Sequence, residues 1–241
     1  MLRVILAILI FSFSISLSAQ DNEISALLKQ ADRLVKEKKY DEALFHIESV
    51  LKAEPLNLSA WEKKVNVMIQ ADRSRDISNE IEELIKNHSQ QPEYLFLRGT
   101  LNLVKDKYSK AISDFDLALY LQMPEKYLEK VYLNRGMAYF NTSDFEKAEE
   151  DFIAAIEINP LYPAVYHSYG MLKYEQGDYD EAIKHFLKAL QFDSENPLIY
   201  YNLGMSYFKI DDSDNACYYF NRSCSLNYRN ACKVYLLECA P

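Results

Sequence analysis

Two kinds of residue recur along this chain at a fixed interval. A small residue stands at Gly136, Gly170 and Gly204, and a second series runs Ala148, Ala182, Ala216; both step by 34. Followed backward, the first series continues as Ala31, Val65, Gly99 and the second as Ala43, Ile77, Ala111. Both then step by 34, 34, 37, 34 and 34. The three extra residues fall at one place for both series, within MPEKYLEK at 123–130. Two independent markers that slip together define a structural repeat. A unit of this length is one supersecondary element that cannot bury its apolar face alone, so the units must stack. Each unit, as in VYHSYGMLKYEQGDYDEAIKHFLKAL, holds two stretches with apolar residues three and four apart, joined by a short polar turn. That spacing builds amphipathic helices, and no alternating stretch is long enough to propose a sheet. The prediction is an all-α chain of stacked helical hairpins.

The punctuation agrees. Of the 5 glycines, Gly99, Gly136, Gly170 and Gly204 occupy the small position, where two helices would cross too closely for a side chain. Gly177, in EQGDYDEA, stands where a first helix ends and a left-handed cap is expected. Pro55, Pro92, Pro124, Pro160, Pro163 and Pro197 all fall at unit junctions, where a helix stops or starts.

Tyr132, Gly136, Tyr139, Ala148, Phe152 and Pro160 form one set of marker residues; Tyr200, Leu203, Gly204, Tyr207, Ala216 and Phe220 form another. The pattern resembles the tetratricopeptide repeat: an aromatic residue, a leucine and glycine, a tyrosine, A-x3-F and a proline. The resemblance covers about residues 24–230 and is strongest from the third unit onward. The first unit offers Leu27, Ala31, Leu34, Ala43, Ile47 and Pro55. The second keeps Trp61 but carries Val65 and Ile77 at its small positions, which predicts looser packing there. The resemblance implies an α-solenoid of about six hairpins, wound as a right-handed superhelix. They are placed at 24–57, 58–91, 92–125, 129–162, 163–196 and 197–230, with a capping helix over 230–241, in a single domain from residue 20.

The first residues read as a separate signal. Arg3 precedes an apolar run from Val4 to about Phe13, small residues follow at Ser16, Ser18 and Ala19, and the first acid is Asp21. This order is that of a secretory signal peptide, 1–19, cleaved near Ala19. The remaining chain is expected in the periplasm or secreted, with no membrane-integral segment. Removing that segment takes one base and no acid, moving the net charge from −9 to −10. An acidic chain without a basic run is a poor partner for nucleic acid.

All four cysteines lie in the last 25 residues, at Cys217, Cys224, Cys232 and Cys239. A stack needs its last apolar face covered, and NACKVYLLEC is the candidate cap, antiparallel to a helix over about 214–226. Seven residues along a helix rise about 10.5 Å, beyond the roughly 7 Å that a disulfide spans between Cα atoms, so no bridge forms within a helix. In an antiparallel hairpin, opposed residues have a constant sum. That condition predicts Cys217–Cys239 with Cys224–Cys232, nested. The same pitch keeps four sulfurs from meeting one zinc ion. The inner pair also resembles the junction in cysteine-rich, disulfide-stapled relatives of this repeat.

Catalytic signatures are absent: the sequence holds no G-x-S-x-G, H-E-x-x-H or glycine-rich phosphate loop. The four histidines have no ligand spacing, and acid pairs such as Glu149 and Glu150 read as solvation. No catalytic residue, metal or cofactor is assigned, and a non-enzymatic chain is expected. The resemblance places the groove on the first helix of each unit. There Met137, Met171 and Met205 form one ladder, and Phe140, Tyr174 and Phe208 another. Leu133, His167 and Tyr201 add a third row, with Phe96 continuing the stripe in the third unit. Such a surface suits a partner helix or an extended peptide, with methionine supplying adaptable packing. Alternatively, the same side chains pack across neighbouring first helices. Successive methionines stand about 10 Å apart, too far to share one ion. The function expected is protein or peptide binding; the alternative is a self-assembling repeat protein that forms homo-oligomers.

Overall fold

The computed structural model describes residues 20–239. The leader assigned to 1–19 lies outside the described residues. Within them the chain forms thirteen α-helices and no strand. These are α1 (20–36), α2 (Tyr40–Ala53), α3 (Leu58–Gln70), α4 (Ser74–Asn87), α5 (Pro92–Val104), α6 (Tyr108–Tyr120), α7 (Leu128–Asn141), α8 (Phe145–Ile158), α9 (Pro163–Glu175), α10 (Tyr179–Leu190), α11 (Pro197–Lys209), α12 (Ser213–Ser225) and α13 (Arg229–Glu238). The architecture is an all-α solenoid of six hairpins and a cap, and the helices form two compact units. One runs to Leu101 and the other starts at Asn102, the division falling inside α5.

The sequence explains where each helix begins and ends. Pro92, Pro163 and Pro197 each open a first helix, where the missing N–H has no partner to lose. Six hairpin turns carry a residue with positive φ: Lys38, Asp72, Asp106, Ser143, Gly177 and Asp211. They follow the steps of the small-residue series, although only one of them is glycine. At Gly177 the turn closes as a double hydrogen bond, Gly177 N–H to Tyr174 C=O at 3.0 Å and Asp178 N–H to Lys173 C=O at 2.9 Å. The next residue, Asp144, Asp178 or Asp212, accepts from a backbone N–H in the first turn of the second helix. The three-residue insertion coils as a 3-10 turn, Glu125–Tyr127, that runs into α7.

Junctions between hairpins use a second recurring bond. The ring at the aromatic position donates to a carbonyl six residues back: Trp61 Nε1 to Pro55 at 2.8 Å, Tyr166 OH to Pro160 at 2.9 Å, and Tyr200 OH to Ser194 at 3.0 Å. These bonds satisfy the polar tip of a packed ring and fix the path of the loop.

The unit from Asn102 onward is organised by close helix crossings. Helices α7 and α8, α9 and α10, and α11 and α12 pair as hairpins, and α8 packs on α9 as α10 does on α11. A Cβ at Gly136, Gly170 or Gly204 would lie 2.8, 2.6 or 2.6 Å from the ring of Phe152, Phe186 or Phe220 respectively. Those three phenylalanines are fully buried. The unit ending at Leu101 lacks this arrangement in its second repeat. Val65 stands at the small position with 2% exposure, but sixteen residues on, where phenylalanine stands later, it has the smaller Ile81. Val65, Ile77 and Ile81 are buried as completely as their counterparts, yet α3 and α4 approach each other less closely than the later hairpin pairs do, as the larger side chains at the small positions predict.

The cap is α13, lying on α12. Disulfides join Cys217 to Cys239 and Cys224 to Cys232, with Cα separations of 5.5 and 4.6 Å. Ala231 is the one fully buried residue of α13, so its covalent ties matter more than its apolar burial.

Gly170→Ala is expected to destabilise the chain by about 1–3 kcal/mol in urea denaturation, because the added methyl meets the Phe186 ring. Adding Phe186→Leu should recover part of the loss, because the smaller side chain leaves room for the added methyl. Gly177→Ala, where a methyl would meet nothing within 4 Å, is expected to cost about 1–2 kcal/mol through the backbone alone. Equal costs for Gly170→Ala with and without Phe186→Leu would refute the ring-contact account.

Candidate binding face

Residues at i, i+4 and i+7 share one helix face. On α9 these are His167, Met171 and Tyr174; on α7, Leu133, Met137 and Phe140; on α11, Tyr201, Met205 and Phe208. Since α7 packs beside α9 and α9 beside α11, the three triplets form three parallel rows.

The rows differ in depth. Leu133 is only 4% exposed and belongs to one core cluster with Phe152, Val165 and Tyr166. Phe96, in the unit ending at Leu101, is completely buried. Both were expected on the open stripe and are core instead. Leu133 shares its cluster with Phe152, the phenylalanine of its own repeat, and a purely apolar side chain there sinks inward. The rings of His167 and Tyr201 occupy the same row, each centred 5.8 Å from Phe186 or Phe220, and remain half-buried.

In the methionine row, Met137 and Met171 are half-buried and pack against that core. Met205 is half-buried as well. In the outer row, Phe140 rests on Phe145 at 6.0 Å and Tyr174 on Tyr179 at 5.3 Å, each the first residue of its second helix. The equivalent residue of the sixth repeat is Ser213, which has no ring, and Phe208 is accordingly 44% exposed.

A polar cluster interrupts this apolar face. The Asn202 side-chain amide nitrogen lies 2.9 Å from His167 Nε2 and donates to Met171 Sδ at 3.2 Å. Ser206 Oγ donates to the Asn202 backbone carbonyl at 2.8 Å. Burial holds the His167 pKa below its ordinary value of 6.5. Sequence reading singled out His167 and Met171 but not this link, which depends on a residue one repeat away.

His185, in the same repeat, sits in a different cluster. Its ring stacks on Tyr169 at 4.1 Å, and Tyr169 OH donates to Glu149 at 2.6 Å, which also takes Lys173 at 2.7 Å. Burial lowers the His185 pKa as well. Burial pushes the Glu149 carboxyl up, but the bonds from Lys173 and Tyr169 outweigh it and hold its pKa below the usual range. Glu149 is therefore a paired group rather than a solvating one, unlike the exposed Glu150. Arg135 makes a similar tie, two bonds to Asp151 at 2.9 and 2.7 Å and one to Asp116 at 2.7 Å.

The two depressed histidines set a pH dependence. The folded state resists protons that the unfolded chain accepts near pH 6.5, so stability is fully present above that value and falls as pH falls through it. The denaturation midpoint of the native chain is expected to drop between pH 7.5 and 5.5. His167→Gln and His185→Gln should each flatten that slope; parallel profiles for all three proteins would refute the assignment.

Among the described residues, no three His, Cys, Asp or Glu side chains group as a metal site, and no helix is long and apolar enough to cross a membrane. Family models for the tetratricopeptide repeat match residues 129–162 and 198–230, and one for the TPR repeat matches 170–211. A model described as the TT21 fifth ARM repeats domain matches 24–122. A DnaJ homolog subfamily C member 7 homolog from Dictyostelium discoideum is 26% identical over 154 residues, which cover 58% of this chain and only 28% of that protein. The fold is similar to that of PilW, a type IV pilus biogenesis factor, with a TM-score of 0.69 at 16% identity, covering 88% of this chain and 98% of PilW. It is also similar to YrrB, described as a TPR protein with an unusual peptide-binding site, with a TM-score of 0.55 at 16% identity over 78% of this chain and 96% of YrrB. With glycine crossings against phenylalanine and repeat models matched along the second unit, residues 129–230 of this chain are tetratricopeptide repeats.

Proposed function

We propose that this protein is an exported, non-enzymatic scaffold that binds a protein or peptide partner along the first-helix face of α7, α9 and α11. The observation that carries this reading is the outward gradient of that face. Apolar side chains rise from buried Leu133 through half-buried Met171 and Tyr174 to Phe208, which is exposed without a supporting ring. Aromatic and methionine surface of this kind supplies contact area to a partner at low entropic cost. A fold like that of YrrB, described as a TPR protein with an unusual peptide-binding site, is consistent with the reading. Export is supported by the leader pattern and by the two disulfides, a bond type that persists in oxidising compartments.

A second reading, self-association, is favoured by Leu236 and Leu237, 68% and 80% exposed near the end of the cap. It predicts a concentration-dependent mass in sedimentation that Leu236→Lys with Leu237→Lys abolishes.

The first reading is tested with Phe208→Ala. An exposed position should change stability by about 0.5 kcal/mol or less, whereas a partner anchor typically costs more than about 1 kcal/mol of binding on truncation. The expected outcome is an unchanged melting transition and loss of a partner captured from the exported fraction by the native chain. A partner retained by the variant would move the binding surface elsewhere.

A further inference from the structure

Two soft electron-pair donors in the second unit are aimed at one point. His167 and Met171 stand four residues apart on α9 and therefore share a face one turn apart. From the neighbouring α11, the Asn202 amide nitrogen approaches both, 2.9 Å from the imidazole Nε2 and 3.2 Å from the thioether sulfur. An amide NH2 has two hydrogens and so serves two acceptors at once. For Nε2 to accept, the ring proton must sit on Nδ1. The ring is steadied against Phe186, and the Asn202 backbone takes a bond from Ser206, so both sides of the cluster are fixed.

We propose that His167 Nε2 and Met171 Sδ form a binding site for a soft monovalent cation of the copper(I) type, with the Asn202 side chain turning aside to admit it. The donor chemistry selects the ion. An imidazole nitrogen and a thioether suit copper(I), whereas calcium and magnesium need oxygen ligands. No cluster of carboxylates or histidines stands among the described residues to favour a hard or divalent ion. All four cysteines are bridged, so no thiolate competes for a soft metal. Both ligands are half-buried. The methionine ladder itself is not the site: Met137 and Met205 are one repeat away, about 10 Å. The assignment goes beyond partner binding and does not rest on it; either can fail alone.

The test uses the full oxidised chain. Copper(I) is offered anaerobically as its bicinchoninate complex, and silver(I) serves as a redox-inert probe by NMR. One equivalent of copper should be withdrawn from the chelator. Silver should shift the His167 ring protons and the Met171 methyl resonance together. Met171→Leu, which keeps volume and fold, should abolish both signals, and His167→Gln should do the same. Asn202→Ala, which removes the competing amide, should bind as well as the native chain or better. The proposal is overturned if no copper leaves the chelator, or if uptake is unchanged by Met171→Leu, which would place the ion on another histidine.

Discussion

At three helix crossings of the second unit, a phenyl ring occupies the space where a side chain would begin. Gly136, Gly170 and Gly204 have no Cβ, and the rings of Phe152, Phe186 and Phe220 lie within 2.8 Å of where one would be. This contact sets how closely the two helices of a hairpin approach. It buries the ring completely, and through the ring it sets the depth of the first-helix row that rests upon it. His167 and Tyr201 are half-buried because they lie on these rings. The face that a partner would meet is thus built from the inside outward.

The same dependence explains why the rows differ. Each repeat can vary the residue at a given register only within the space its phenylalanine and its neighbour leave. In the fifth and sixth repeats that space admits a histidine and a tyrosine, and Asn202 from the first helix of the sixth repeat completes a polar cluster with the histidine. In the fourth repeat the register holds Leu133, which joins the core. Where the first residue of the second helix is aromatic, the outer ring is supported; at Ser213 it is not, and Phe208 is left open. Partner binding and cation binding draw on different consequences of one arrangement: exposed apolar rings in the first case, and converging lone pairs in the second.

At the C-terminal end, where no further repeat follows, α13 has little apolar burial of its own, and two disulfides hold it to α12. Their pairing was legible in the sequence because helix pitch excludes bridges within one helix and an antiparallel turn fixes which cysteines oppose. The left-handed turn residues were legible only at Gly177. Lys38, Asp72, Asp106, Ser143 and Asp211 adopt the same conformation without being glycine, since the hairpin geometry outweighs a modest backbone cost.

The sequence by itself determined the helices, their order, their pairing into hairpins and the cysteine register, because each follows from spacing along one chain or across one turn. It also named the side chains of the candidate face, since their positions recur with the repeat. Only the tertiary structure decided how deep each one lies. Leu133 and Phe96 share a register with His167, yet burial depends on what the surrounding helices place opposite them. The same holds for Glu149, which Lys173 and Tyr169 from the next repeat convert from a surface acid into a paired one. The link from Asn202 to His167 and Met171 joins residues more than thirty positions apart. Periodicity shows that such residues are neighbours in the stack, but the direction of a lone pair is set only when the helices pack.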